Sequence, residues 1–316
     1  MFVGFDVGDT NARLSLFDEE YRSTSLLKRG VREDTSPEGI ATLLADMLAD
    51  ALAEHGASLS NVHAIGIGLA GQMSSDGRLI YNAPNLHWRD VHFAHLLEAQ
   101  LEGDVSVRVV NDLNALLWGE YIQGAARDAE DVLAMYVGTG VGGAMVAGGR
   151  LLHGAGGKAG EIGHTKFIPR GRLCNCGERG CTEAYAGGLQ LEMLVAQAAR
   201  SHDIHEVWRT PDRDAVDLAA ADRLAQHRHP DIHPIFDLAA DALSLALANA
   251  ITLLNPELVV LGGGVLTNSP FLRQGVMERA RPLVRAACRE DCTVARPEHG
   301  DIAGMLGAAQ LAADMA

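Results

Sequence analysis

Apolar residues recur along this chain at two spacings. Val3-Gly4-Phe5-Asp6-Val7 is a short apolar run, Gly8-Asp9-Thr10 a small polar turn, and Asn11 to Phe17 a second run. The same strand, turn and strand return at Leu133 to Val137, Gly138-Thr139-Gly140 and Val141 to Val146. Both read as β-hairpins. A repeated opening hairpin predicts two similar lobes with a cleft between them. Ser36-Pro37-Glu38 is a helix start, with a capping serine and proline at the first helical position. Ile40, Leu43, Leu44, Met47, Leu48, Ala51 and Leu52 follow at helical spacing, and Gly56 ends the run.

The alternation continues downstream. His63 to Leu69 and Val105 to Val110 read as strands, the second entering Asn111-Asp112 and a helical stretch from Ala115 to Tyr121. Glu257 to Leu261 is a short strand running into Gly262-Gly263-Gly264, and a helix from about Ile302 to Ala313 closes the chain. Leu238 to Leu254 is apolar and Ala-rich but contains Asp241, and reads as a buried helix and not a membrane span. Ser201 to His233 is polar and His-rich and reads as a surface excursion. The whole is α/β with largely buried sheets. The expected division is 1–114 plus 302–316 for the first lobe and 115–301 for the second.

Composition narrows the function. The chain has 316 residues, 47% hydrophobic and 21% charged, enough for two filled cores. A formal net charge of −15 opposes binding to nucleic acid or to an anionic membrane. At 5% aromatic content a base-stacking platform is not expected. The N-terminus shows no basic region or cleavage site of a signal peptide. Five cysteines, an odd number, then fit reduced thiols and a cytoplasmic location.

Three of those cysteines stand within eight residues, Cys174-Asn175-Cys176-Gly177-Glu178-Arg179-Gly180-Cys181, with His164 ahead in Glu161-Ile162-Gly163-His164. Three thiolates and one imidazole suit a closed tetrahedral zinc site that braces a loop. Glu161 and Glu183 bracket it, and each carboxylate can accept two hydrogen bonds from neighbouring sugar hydroxyls. His164 has one ring nitrogen for metal and one for a sugar hydroxyl. A zinc ribbon for nucleic acid needs basic flanks, which Glu161, Glu178 and Glu183 oppose. Cys288 and Cys292 read as ordinary packing residues, and His227, His229 and His233 as a solvated loop.

The glycine turns are the second candidate feature. Backbone N–H groups in such turns can cradle phosphate oxygens, and the lack of a Cβ allows close approach. The two hairpin turns and Gly262-Gly263-Gly264 together point to phosphate, although no Walker lysine follows. Asp112, where a strand passes into a helix, reads either as a helix N-cap or as a general base for a sugar hydroxyl. Asp6 reads either as a turn residue or as a holder of hydrated magnesium.

These residues carry a resemblance. Cys174 to Glu183 in the form Cys-x-Cys-Gly-x-x-Gly-Cys-x-Glu, Glu161 to His164, Asn111-Asp112, the turns Asp6 to Asn11 and Gly138 to Gly143, and Asn255-Pro256-Glu257 before Gly262-Gly263-Gly264 resemble the ROK family of sugar kinases, essentially end to end. The resemblance implies a two-lobed actin-like, hexokinase-like (ribonuclease H-like) fold with ATP in the interdomain cleft, closing around sugar. It implies phosphorylation of a hexose at the 6-hydroxyl, with glucose as the first expectation and N-acetylmannosamine, N-acetylglucosamine or fructose as alternatives. Asp112 would be the base. Gly71, Asn85, Asn111, Asp112, Glu161, His164 and Glu183 would contact sugar. Asp6, Gly8, Thr10, Asn11, Gly138, Thr139, Gly140, Gly142, Gly262, Gly263 and Gly264 would serve ATP and Mg2+. His164, Cys174, Cys176 and Cys181 would bind structural Zn2+, and the chain would form a homodimer. The family also contains sugar-sensing repressors, but their N-terminal helix-turn-helix has no room before the first hairpin. Two positions depart from the pattern: Asp9 stands where the first turn usually carries glycine, and Ala70-Gly71-Gln72 lacks the proline common in glucokinases.

Overall fold

The computed structural model describes residues 1–31, 34–101, 103–210 and 212–315. Contacts divide the chain into two compact units. The first comprises Met1–Ala129, Arg150–Ala159 and Pro297–Ala316, the second Glu130–Gly149 and Gly160–Arg296.

In the first unit, β1 (Phe2–Val7) and β2 (Asn11–Phe17) form the expected antiparallel hairpin, and β3 (Ser23–Gly30) extends it. Helix α1 (Pro37–Glu54) starts where Ser36 Oγ accepts the Gly39 N–H at 3.1 Å. Its apolar stripe, including Ile40, Leu44, Met47, Leu48 and Ala51, is buried. Strand β4 (Ala64–Leu69) lies parallel to β1. Then β5 (Gln72–Met73), β6 (Ile80–Ala83) and β7 (Trp88–Val91) make a small antiparallel sheet, followed by α2 (Phe93–Glu98). Strand β8 (Ser106–Asn111) pairs parallel with β4 and leads directly into α3 (Asp112–Gln123). The large sheet is ordered β3-β2-β1-β4-β8.

The second unit repeats the plan. Strands β9 (Val132–Val137) and β10 (Val141–Ala147) form its hairpin, and β11 (Arg150–Leu151) follows in the stretch that belongs to the first unit. Helices α4 (Glu183–Ala186), α5 (Gly188–His202), α6 (Leu218–Gln226) and α7 (His233–Leu254) precede β12 (Leu258–Gly262). Then come α8 (Gly264–Asn268), α9 (Pro270–Leu283), α10 (Ala286–Asp291) and β13 (Thr293–Ala295). Within the unit the strand order is β10-β9-β12-β13, with β12 parallel to both β9 and β13. Each hairpin thus gains parallel strands on the side of its first strand. Helix α11 (Asp301–Asp314) returns to the first unit.

Two expectations change. The first unit runs past 114 to Ala129 and takes in 150–159 and 297–301. Helix α3 is held there by α11: a Cβ added at Gly119 would collide with the Ala303 carbonyl, and one at Gly307 with the Ala115 carbonyl. Only glycine at both positions lets the two backbones approach so closely. Glu120, fully buried on α3, accepts the N–H groups of Ala125, Glu298 and His299, each at 2.9 Å. Its carboxylate therefore fixes the end of α3 to the segment entering α11.

The segment 201–233, of which Pro211 lies outside the described residues, is not only a surface excursion. Ile204, Val207, Val216, Ala221, Ala225 and Ile232 join the core of the second unit. Buried Asp222 on α6 accepts the N–H groups of Phe271 at 3.0 Å and Leu272 at 2.9 Å, satisfying the first turn of α9. His233 bonds through Nδ1 to the Ala225 carbonyl at 2.7 Å. Helix α7 is long and apolar enough to cross a membrane by length and composition. Phe236, Leu243, Leu247 and Ile251 on it are buried in the core of the second unit, as the sequence reading of 238–254 expects.

Candidate active site and metal centre

In the first unit, Asn111 ends β8 and caps α3. Its Oδ1 accepts the N–H groups of Leu113 and Asn114, both at 3.1 Å, and its Nδ2 donates to the Gly71 carbonyl at 3.1 Å. The capping role open to Asp112 thus falls to its neighbour. Asp112 is the first helical residue, with Oδ1 taking the Leu113 N–H at 3.0 Å. Burial, and secondarily the Asp6 carboxylate, push its pKa up to about 6. Between these two acids lies Gly68, paired with Asp6 across the sheet, where an added Cβ would lie 3.8 Å from the Asp112 Cα.

Asp6 Oδ2 is ion-paired at 2.7 Å with Arg13, its cross-strand neighbour. The sequence reading missed Arg13, although a hairpin folded at the first glycine turn places those two positions opposite each other. In that turn Gly8 N–H donates to the Asn11 carbonyl at 2.9 Å, and the Thr10 carbonyl accepts the Val31 N–H at 2.9 Å. Asp9 is exposed and its Oδ1 accepts the Thr10 hydroxyl at 3.0 Å. Asn85 is exposed on the single turn Pro84–Leu86.

In the second unit the four expected ligands converge. The donor atoms of His164, Cys174, Cys176 and Cys181 all lie within 4.8 Å of one another. Cys176 Sγ and Cys181 Sγ are 3.8 Å apart, as are Cys174 Sγ and His164 Nδ1. Metal–sulfur bonds of about 2.3 Å at tetrahedral angles require sulfurs about 3.8 Å apart, so these residues fit a zinc-sized ion. Local structure explains the convergence. The Cys174 N–H donates to Glu178 O at 2.8 Å and the Gly177 N–H to Cys174 O at 3.0 Å, while Phe167 N–H donates to Gly180 O at 2.8 Å. Gly177 and Gly180 adopt φ of 89° and 84°, a region that glycine supplies without strain. Lys166 Nζ lies 3.2 Å from Cys181 Sγ and pairs with Glu178. With Nδ1 toward the thiols, His164 turns Nε2 to Glu161, 3.6 Å from its Oε2.

Glu183 opens α4 two residues after Cys181. Its Oε1 lies 3.4 Å from Cys174 Sγ and its Oε2 accepts the Val141 N–H at 2.9 Å. The second glycine turn sits against this segment. Gly138 O accepts the Gly188 N–H at 2.9 Å, and Thr139 O the Leu189 N–H at 3.0 Å. Gly142 lies on β10 opposite Tyr136, as Gly262 does at the end of β12. Gly263 has φ of 96° and a Cβ there would strike the Val137 carbonyl, while Gly264 starts α8. Ahead of β12, Glu257 is directed to backbone, its Oε1 accepting the Glu130 and Asp131 N–H groups.

The model of the ROK family matches residues 2–315. This chain belongs to the ROK family. A glucokinase of Halalkalibacterium halodurans is 33% identical over 311 residues, covering 97% of this chain and 93% of that one. An N-acetyl-D-glucosamine kinase of Citrobacter koseri is 29% identical over 98% of this chain and 99% of its own. The crystal structure of a ROK family glucokinase from Streptomyces griseus in complex with glucose and AMPPNP is similar with a TM-score of 0.81 at 31% identity, covering 99% of both chains. The ROK protein described here accordingly has the hexokinase-like fold of that family and is a sugar kinase.

Proposed function

We propose that this ROK protein transfers the γ-phosphoryl group of ATP to the 6-hydroxyl of glucose. The observation that carries the reading is the end-to-end likeness to the Streptomyces griseus glucokinase bound to glucose and AMPPNP. Asp112 acts as the base. A pKa of about 6 leaves it mostly ionised near pH 7.5, yet far more basic than an ordinary aspartate. The sugar oxygen bonds to the γ-phosphorus, the bond from that phosphorus to the bridging oxygen breaks, the hydroxyl proton passes to Asp112, and ADP leaves. Asn111, anchored to Gly71, together with Asn85, Glu161, His164 and Glu183, supplies polar groups for sugar hydroxyls.

Asp6 is an oxygen donor of the kind that holds Mg2+ through water. When bound, that ion screens phosphate charge. His164, Cys174, Cys176 and Cys181 hold a structural zinc ion, which when bound keeps the loop carrying Glu161 and Glu183 in place.

A coupled assay with glucose, N-acetylglucosamine, N-acetylmannosamine and fructose, using ATP and polyphosphate as donors, tests the reading. The highest kcat/KM is expected for glucose with ATP. A higher value for N-acetylglucosamine would instead favour the activity named for the Citrobacter koseri relative. Absence of sugar-dependent ADP release with every sugar would overturn the proposal.

A further inference from the structure

Family resemblance gives Glu183 a role toward sugar, but its carboxylate also does something else in this structure. Oε2 accepts the Val141 N–H at 2.9 Å, at the point where the second glycine turn becomes β10. A Cβ at Gly140 would push that same oxygen aside, so glycine at position 140 leaves room for the carboxylate to sit against the turn. On the other side of the turn, Gly138 O and Thr139 O accept the Gly188 and Leu189 N–H groups. Gly187 and Gly188 leave room for this: a Cβ on Gly188 would come to 2.5 Å from Gly138 O, and one on Gly187 to 3.2 Å from Thr139 O. The segment that holds the turn begins at a metal ligand. Cys181 is followed by Thr182, whose N–H donates to Thr165 O at 2.9 Å and so ties the segment to the residue after His164.

We infer that Glu183 is a positioning residue for the Gly138–Val141 turn, joining the metal-binding loop to that turn so that nucleotide affinity depends on Glu183 even without sugar. The inference rests on the ATP-dependent reading above and deepens it. A carboxylate–amide bond is charge-assisted and stronger than a neutral one. Without it the Val141 N–H loses its partner and the turn is held from one side only. A residue that touched sugar alone would leave binding of nucleotide to the sugar-free protein unchanged.

The test compares wild type, Glu183→Gln and Glu183→Ala, each assayed for bound metal. Two quantities are read without sugar: the Kd for AMPPNP with Mg2+ by calorimetry, and hydrogen exchange at the Val141 and Leu189 amides. For Glu183→Ala the expected results are a Kd raised about tenfold and faster exchange at Val141. Glu183→Gln keeps an acceptor oxygen without charge and should fall between, about two- to fivefold. If the alanine variant loses its metal or fails to fold, the glutamine variant carries the test. Wild-type Kd and wild-type Val141 exchange in a folded variant would overturn the inference. Should wild type itself fail to bind AMPPNP, the ATP reading falls, and the exchange at Val141 still decides whether Glu183 holds the turn.

Discussion

At the scale of single residues, Asp112 and Asp9 carry the sharpest consequences. Asp112 is held well above the ordinary aspartate range by burial and by Asp6. Its base form is therefore lost as pH falls, and kcat/KM for glucose should drop through a pKa near 6, measured as a pH–rate profile; a profile flat to pH 5 would contradict this. The same shift has a cost in stability. The folded state binds this proton more tightly than the unfolded chain, so its contribution is full below about pH 4 and is lost as pH rises through about 6. Asp112 is half-buried, which reduces the effect of this shift, and Asp112→Asn should stabilise the fold at pH 7.5 by about 1–2 kcal/mol, read as a higher melting temperature. Asp9 is an exposed charge in a turn that does not require glycine at that position, since it adopts no positive φ. Asp9→Gly should tighten AMPPNP binding about two- to fivefold at low salt and less at high salt, as screening removes the repulsion.

At the scale of elements, the metal loop behaves as a small fold of its own. The isolated bridges of Lys166 with Cys181 and Leu173 with Arg179, and the positive-φ glycines, hold the donor atoms within 4.8 Å of one another. Cys181→Ser removes a buried ligand. Plasma emission analysis should find about one zinc per chain in wild type and well below one in the variant, with a lower melting temperature. This loop was legible in the sequence because metal ligands must be of particular residue types at short spacing, and so were the hairpins, whose apolar runs and glycine turns are local. Helix α6 was not. Its buried face consists of Leu218, alanines and Asp222, so few large apolar residues mark it although they recur at helical spacing, and the partner of Asp222 lies on α9. The choice between Asn111 and Asp112 as cap was equally hidden, because two adjacent capping residues differ only in backbone angles.

At the scale of the whole molecule, the repeated hairpin and the strand–helix alternation were foreseeable, but the boundary between units was not. Sequence suggests a break after Asn114, yet α3 belongs with α11, which follows it by nearly two hundred residues. Glu120 shows why such a link escapes pattern reading: a glutamate within a helix normally faces water, and this one is completely buried by three backbone amides, two of them beyond residue 297. Glu120→Ala would leave these donors unpaired and should destabilise the protein by about 3–5 kcal/mol in urea unfolding. A loss under 1 kcal/mol would mean that the amides find other partners.

In the proposed function, Asp112 takes the proton of a sugar hydroxyl as the phosphoryl group is transferred. The most direct measurement is glucose-dependent ADP release at pH 7.5 by wild type and by Asp112→Asn, with glucose binding to each followed by calorimetry. Wild type should release ADP in step with glucose 6-phosphate, while the variant's kcat should fall about 100- to 10,000-fold with glucose affinity still measurable. A variant that turns over glucose at the wild-type rate would contradict it.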